Sequence, residues 1–181
     1  MAALIDPPLP LTRGASFPEP VMRSALYRYW NDALPMGAFV GANPGKADAF
    51  VDDATARKYV GFARRWGWGG YVALNLFEWV ATDMKELIAR ILAGEPVHAK
   101  DPNAAFRSLP AAAVKVVCLA WGRTPPPIRG AWESRVMAIR RILIEELSPT
   151  GMKIVIAARN LDGSPAHLSR LPYTESPLPI F

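Results

Sequence analysis

Cysteine occurs once, at Cys118, and histidine twice, at His98 and His167. A single thiol forms no internal disulfide framework and excludes a multi-cysteine zinc site, and two imidazoles give no His-rich metal centre. Long apolar runs are missing too. The best of them, residues 114–121, is too short to cross a bilayer and carries Lys115. The opening Met1-Ala2-Ala3-Leu4-Ile5-Asp6 lacks the basic start and extended apolar stretch of a secretory signal. These absences lead us to expect a cytoplasmic protein with no membrane partner, no bound metal and no cofactor.

What is present suits one globular domain. The chain has 181 residues, of which 51% are hydrophobic, enough to build a sizeable core and too apolar for a disordered chain. Its 21 basic and 16 acidic side chains leave a net charge of +5. Up to residue 99 the two signs balance at 10 each, so the excess (11 basic against 6 acidic) lies entirely beyond that point. Such a balance is compatible with a nucleotide or nucleic-acid partner.

The 18 prolines cluster. Pro7, Pro8, Pro10, Pro18 and Pro20 make residues 1–20 an irregular proline-rich arm, which leaves residues 21–181 as a single domain. Within it, residues 38–42, 71–75, 114–121 and 153–158 read as apolar strands. Residues 53–66, 84–93 and 131–147 have helical spacing, and 102–109 forms a short helix. Asp52 or Asp53 caps the first helix, while Asp83 with Glu86 resembles a capping box. Strands alternating with helices predict a three-layer α/β domain, in which a four-stranded, mostly parallel sheet carries helices on both faces. Such sheets bind ligands beyond the carboxyl ends of their strands, at a switch in strand order.

The residues that follow those four strands are therefore the candidates. Gly41-Ala42-Asn43-Pro44-Gly45 has glycines for close approach, a proline that stiffens the turn, and an amide with one acceptor and two donors. Asn75 ends the second strand, where a carboxamide can pair with a base edge. Phe50 and Phe77 each closely follow such a segment and are candidates to stack on a base. Asp52 and Asp53 structure the loop. Trp66, Trp68 and Tyr71 are expected to fill space between a helix and the next strand. Arg123 follows the third strand on the same rim. His167 lies on a Gly/Pro/Ser loop after the fourth, positioned to donate to a developing anion, with Ser169 and Arg170 beside it as phosphate-binding types. His98 reads as an exposed loop residue. Arg135, Arg140 and Arg141 read as a solvated helix face, and Cys118 as packing.

Several of these segments occur together in a known order. Tyr27-Arg28-Tyr29-Trp30, Asn43-Pro44-Gly45-Lys46-Ala47-Asp48, Asp52-Asp53-Ala54-Thr55, Trp66-Gly67-Trp68-Gly69-Gly70, Asn75-Leu76-Phe77, Ala120-Trp121-Gly122 and Gly163-Ser164-Pro165-Ala166-His167-Leu168 resemble the domain of unknown function 1643 family, over roughly residues 24–181. More distantly, Gly41-Ala42-Asn43-Pro44-Gly45 resembles the first motif of the mismatch-specific branch of the uracil-DNA glycosylase superfamily. Ala73-Leu74-Asn75 resembles that superfamily's base-reading strand end, and His167-Leu168-Ser169-Arg170 its last motif. That resemblance implies a uracil-DNA glycosylase-like fold. In it Asn43 would position the attacking water, Asn75 would read the base, and His167 would stabilise the departing base. Phe50 or Phe77 would stack on the base, Leu168 or Leu171 would wedge into the duplex, and Lys46, Arg123, Ser169 and Arg170 would contact phosphate. Here Asn43 stands where the most active glycosylases have an aspartate, and an amide is no base.

The expectation is thus a protein that recognises a nucleobase, a nucleotide or DNA, as an N-glycosidic hydrolase. One alternative is a binding module that uses the same pocket without turnover. A weaker one is a metal-dependent hydrolase built on Asp48, Asp52 and Asp53.

Overall fold

A computed structural model describes residues 12–180. Its strands are β1 (Thr12–Ser16), β2 (Ala25–Tyr29), β3 (Met36–Gly41), β4 (Gly70–Asn75), β5 (Val114–Leu119), β6 (Lys153–Ile156) and β7 (Leu178–Pro179). Its helices are α1 (Ala54–Arg65), α2 (Met84–Leu92), α3 (Ala104–Arg107) and α4 (Arg129–Arg141). All seven strands form one mixed sheet in the order β1-β2-β4-β3-β5-β6-β7. The four central strands are parallel, and β1, β2 and β7 pair antiparallel at the flanks.

The four-stranded sheet read from the sequence is therefore the parallel centre of a wider one. The three missed strands have physical reasons. β2 alternates, but one of its inward positions is Arg28, so its buried face does not read as apolar. β1 lies in the segment expected to be an irregular arm, and its pairing with β2 makes residues 12–16 part of the sheet. Residues 1–11 of that arm lie outside the described residues. β7 is an edge strand containing Pro179, the kind of place where a strand tolerates proline.

Alternation along the central strands sorts side chains onto the two faces. Ala38, Val40, Val117, Leu119, Ile154 and Ile156 join the cluster under α2, α3 and α4, together with Leu87, Phe106 and Trp132. Phe39, Tyr71, Ala73, Cys118 and Val155 join Tyr59, Phe62 and Ala63 of α1 on the other face. Trp66, Trp68 and Tyr71 pack around Phe39, as expected of space-filling aromatics. α1 begins at Asp53, whose carboxylate accepts from Ala56 N, and α2 begins at Asp83, which accepts from Lys85 N. The long helix read over 131–147 divides. α4 ends at Arg141, and residues 142–147 continue as a π-helical turn.

Because β3 sits between β4 and β5, the connections leaving β3 and β5 diverge. That divergence is the switch point beside which a crevice opens. No described helix is long and apolar enough to cross a membrane.

Candidate functional site

The chain zips the first two rim loops together beyond the sheet. Leu76 N and Phe77 N donate to Gly41 O and Ala42 O, each at 2.9 Å. One turn on, Ala81 N donates to Pro44 O at 3.0 Å, and Asn43 Nδ2 donates to Ala81 O at 2.9 Å and Pro44 O at 3.2 Å. The amide hydrogens of Asn43 are thereby spent on the loop, and its Oδ1 remains as the acceptor. Asn75 is buried, and with its amide assigned so that the nitrogen faces the two nearby carbonyls, its NH2 donates to Asn43 O at 3.2 Å and Leu74 O at 3.3 Å.

The last rim loop brings in the imidazole. Ala166 N donates to Ala158 O at 2.8 Å, and Gly122 N donates to Pro165 O at 3.0 Å, so residues 158–166 are pinned to the end of β6 and to the loop after β5. His167 follows directly. Its Nδ1 accepts from Ser169 N at 3.3 Å and lies 2.7 Å from Ser169 Oγ. With Nδ1 accepting, a neutral ring carries its proton on Nε2 and is a donor there. Burial, and secondarily the Arg170 charge, hold this imidazole below its ordinary pKa, against an opposing pull from Asp53.

These groups meet. A recess of about 30 Å³ is lined by Asn43, Asn75, His167, Asp53, Tyr59 and Arg23. It adjoins a groove of about 610 Å³ that shares Asn43, Gly45, Thr55 and His167 with it. All four carboxyl-end loops supply the groove wall: Ala42 and Asn43 after β3, Ala81 and Thr82 after β4, Trp121–Arg123 after β5, and Asn160 to Leu171 after β6. The recess alone is too small for a nucleobase. The groove is within the size range of small-molecule sites.

Two glycines keep the recess open. A Cβ at Gly41 would lie 2.9 Å from the Asn75 amide and 3.1 Å from Tyr59 Oη, and a Cβ at Gly45 would collide with Asp53 Oδ2. Pro44 is buried between them.

The structure corrects several expectations. Phe77 does not reach the recess. Its ring is buried on the opposite side of the sheet, against Trp132 and stacked on His98. His98 is accordingly half-buried rather than exposed, and burial lowers its pKa to about 4. Phe50 is 82% exposed and stands outside both recess and groove. Lys46 is also exposed and lines neither. Leu168 is fully buried and cannot wedge into anything, whereas Leu171 does border the groove. Arg123, Ser169 and Arg170 line the groove. Arg135 is no solvated residue. It is buried and donates to Leu76 O at 2.6 Å and to Asn103 and Pro102, anchoring the loop after β4. Cys118 is buried packing, and burial pushes its thiol pKa up.

The three loop carboxylates are committed to different partners. Asp48 accepts from Phe50 N and Val51 N, each at 2.7 Å. Asp52 is paired with Arg28 and Arg13, both at 2.6 Å. Asp53 caps α1 from Oδ1 and accepts from Ala47 N with Oδ2 at 3.2 Å. Among the described residues no three acids, histidines or cysteines form a metal-sized group.

Two lining residues had no sequence signal. Arg23 precedes β2, yet it is 4% exposed and donates to Gly45 O at 3.4 Å and to Ala47 O. Its Nε has no acceptor among the described residues. Asp53 was legible as a helix cap, but not as a carboxylate facing the same recess as Asn43 and His167.

A family model described as a protein of unknown function (DUF1643) matches residues 23–167. No curated protein and no solved structure matches the chain.

Proposed function

The chain belongs to the DUF1643 family, and from its own site we propose that it recognises a nucleobase and hydrolyses its N-glycosidic bond. The observation that carries this reading is the pattern of hydrogen-bonding atoms around one recess. Asn43 and Asn75 bring carboxamides to its lining, and His167 and Arg23 bring N–H groups. A mixed donor and acceptor set on a recessed edge suits the keto and imide edge of a base. The adjoining groove holds the sugar, with Arg123, Ser169 and Arg170 available to phosphate oxygens.

In the proposed reaction, water oxygen bonds to the anomeric carbon as the bond to the base nitrogen breaks, and the electron pair leaves on the base. His167 donates a hydrogen bond to that anion while remaining neutral. Asn43 Oδ1 orients the water by accepting one of its hydrogens. The proton released goes to Asp53, the carboxylate in the recess lining. A uracil-DNA glycosylase-like fold belongs to the same reading. The parallel order β4-β3-β5-β6 and the rim position of the site support it.

Base release from oligonucleotides carrying uracil, mispaired and modified bases tests the proposal. Wild type releases at least one base. Removing the donor in His167→Ala lowers the rate about 10²–10³-fold, and Asp53→Asn, which keeps a capping oxygen, also lowers it. Release that persists unchanged in Asn43→Ala and His167→Ala overturns the assignment. Both Asp53 oxygens already accept from backbone N–H groups, and a carboxylate held so is a weak base. That observation favours a second reading, a nucleotide-binding site without turnover. Ligand-dependent rises in melting temperature with no base released distinguish it.

A further inference from the structure

The chain leaves the recess at Gly45 and returns to it at Asp53. Between them it makes an excursion whose tip is Phe50-Val51, with 82% and 62% of these side chains exposed. Neighbouring large apolar residues so far out of the core cost solubility and ask for a partner. The tip is held firmly. Asp48 Oδ1 takes both Phe50 N and Val51 N, and Asp48 N donates to Val51 O at 3.0 Å. Fully buried Arg28 donates to Asp48 O at 2.7 Å and to Asp52 Oδ1 at 2.6 and 2.8 Å, bracketing the tip from both sides. Ala47 N donating to Asp53 Oδ2 closes the excursion at its base. An apolar tip held in one conformation gives up little entropy when it inserts into a partner.

Charge selects the partner. Lys46 precedes the tip and Arg57 follows it in the chain, both exposed, and Arg57 donates to Asp52 O at 2.6 Å. Arg123 and Arg170, which line the groove, are also exposed. Of the two acids beside the tip, Asp52 is paired with Arg28 and Arg13, and Asp48 is taken up by the Phe50 and Val51 N–H groups. An exposed aromatic ring such as Phe50, with cations near it, is the pattern that binds stacked bases and their phosphates. We infer that the Phe50-Val51 tip stacks against or between the bases of a polynucleotide strand while a neighbouring base occupies the groove, so that the ligand is a nucleotide within a polymer and not a free mononucleotide. This inference rests on the nucleobase reading of the groove.

The test uses the full chain and the double substitution Phe50→Ser, Val51→Ser, at positions exposed enough to leave the fold intact. Anisotropy is read with labelled deoxy and ribo 20-mers, some carrying 2-aminopurine. Uridine monophosphate is the monomer probe in a melting assay. Wild type binds at least one 20-mer with a rise in 2-aminopurine emission, and the double variant binds about tenfold more weakly without that rise. A melting shift with uridine monophosphate stays the same in both proteins. Equal binding of the 20-mers by both proteins overturns the inference while leaving the groove reading standing. So does tip-dependent flotation with anionic phosphatidylserine vesicles in the absence of oligonucleotide binding. A tip-dependent affinity for the 20-mers without any monomer shift and without protection by base-containing over abasic strands sinks the groove reading and, with it, the inference as stated.

Discussion

His167 performs its proposed task only as a neutral donor. Its Nδ1 accepts from Ser169 N, so protonating the ring would forfeit that hydrogen bond and leave Nδ1–H only the Ser169 hydroxyl as partner. Burial already keeps the ring neutral below the usual imidazole range. Turnover is therefore expected to be flat through neutrality and to fall only in acid, below the ordinary histidine pKa. His167→Gln, which keeps an N–H donor but does not titrate, should lose that acid limb while retaining more rate than His167→Ala. A rate that rises as the solution is acidified through pH 6 would contradict the neutral-donor role. His98 makes a parallel case in stability. Its folded pKa of about 4 lies below the unfolded imidazole value, so the unfolded chain binds the proton first as pH falls. The stabilisation is complete above the unfolded value and disappears as pH drops from about 6.5 to about 4. Full burial would make this about 3 kcal/mol, and partial solvation of the ring reduces it to about 2 kcal/mol. Urea unfolding of wild type and His98→Gln at pH 7 and pH 4.5 measures it as the part of the acid loss missing in the variant.

Among the elements, the excursion between β3 and α1 depends on one buried ion pair. Arg28 is fully buried on β2, and Asp52 is its carboxylate. Removing one partner of such a pair strands the other charge, at about 3–5 kcal/mol. Asp52→Ala should lower the unfolding free energy by about 3 kcal/mol in chemical denaturation, although Asp52 touches neither recess nor groove; a loss under about 1 kcal/mol would mean that water solvates Arg28 there. The same pair explains what the sequence hides. The parallel strands β3 to β6 were legible because both their faces are buried and their runs are apolar. β2 was not, because its inward residue is an arginine whose partner lies in a loop 24 positions later. The rim loops were legible as a set once the strands were placed. The fate of Phe77 was not: two residues beyond Asn75, the pleat would keep it on the same face as Asn75, but β4 ends at Asn75 and the chain beyond it turns the ring to the opposite side, into contact with Trp132. Arg23 and the inward role of Asp53 depend on contacts with the Gly45 to Ala47 backbone, which no local pattern announces.

At the scale of the whole molecule, the fold gathers residues from four loops that are far apart in sequence. The order β4-β3-β5-β6 splits the connections on either side of β3, and the crevice that opens there receives Asn43, Asn75 and His167 from three different strands. The antiparallel flank β1-β2 adds the buried arginine that stiffens the loop at the crevice mouth. The account turns on that crevice reading a base through the Nε2 proton of His167. Long-range proton–nitrogen NMR of the His167 ring, recorded while uracil, thymine, cytosine, guanine and adenine are added in turn, observes that proton directly. The account predicts an unprotonated Nδ1 and a protonated Nε2 in the free protein, with the Nε2 resonance displaced by at least one base. A ring protonated on Nδ1, or an Nε2 signal unmoved by all five bases, would contradict it.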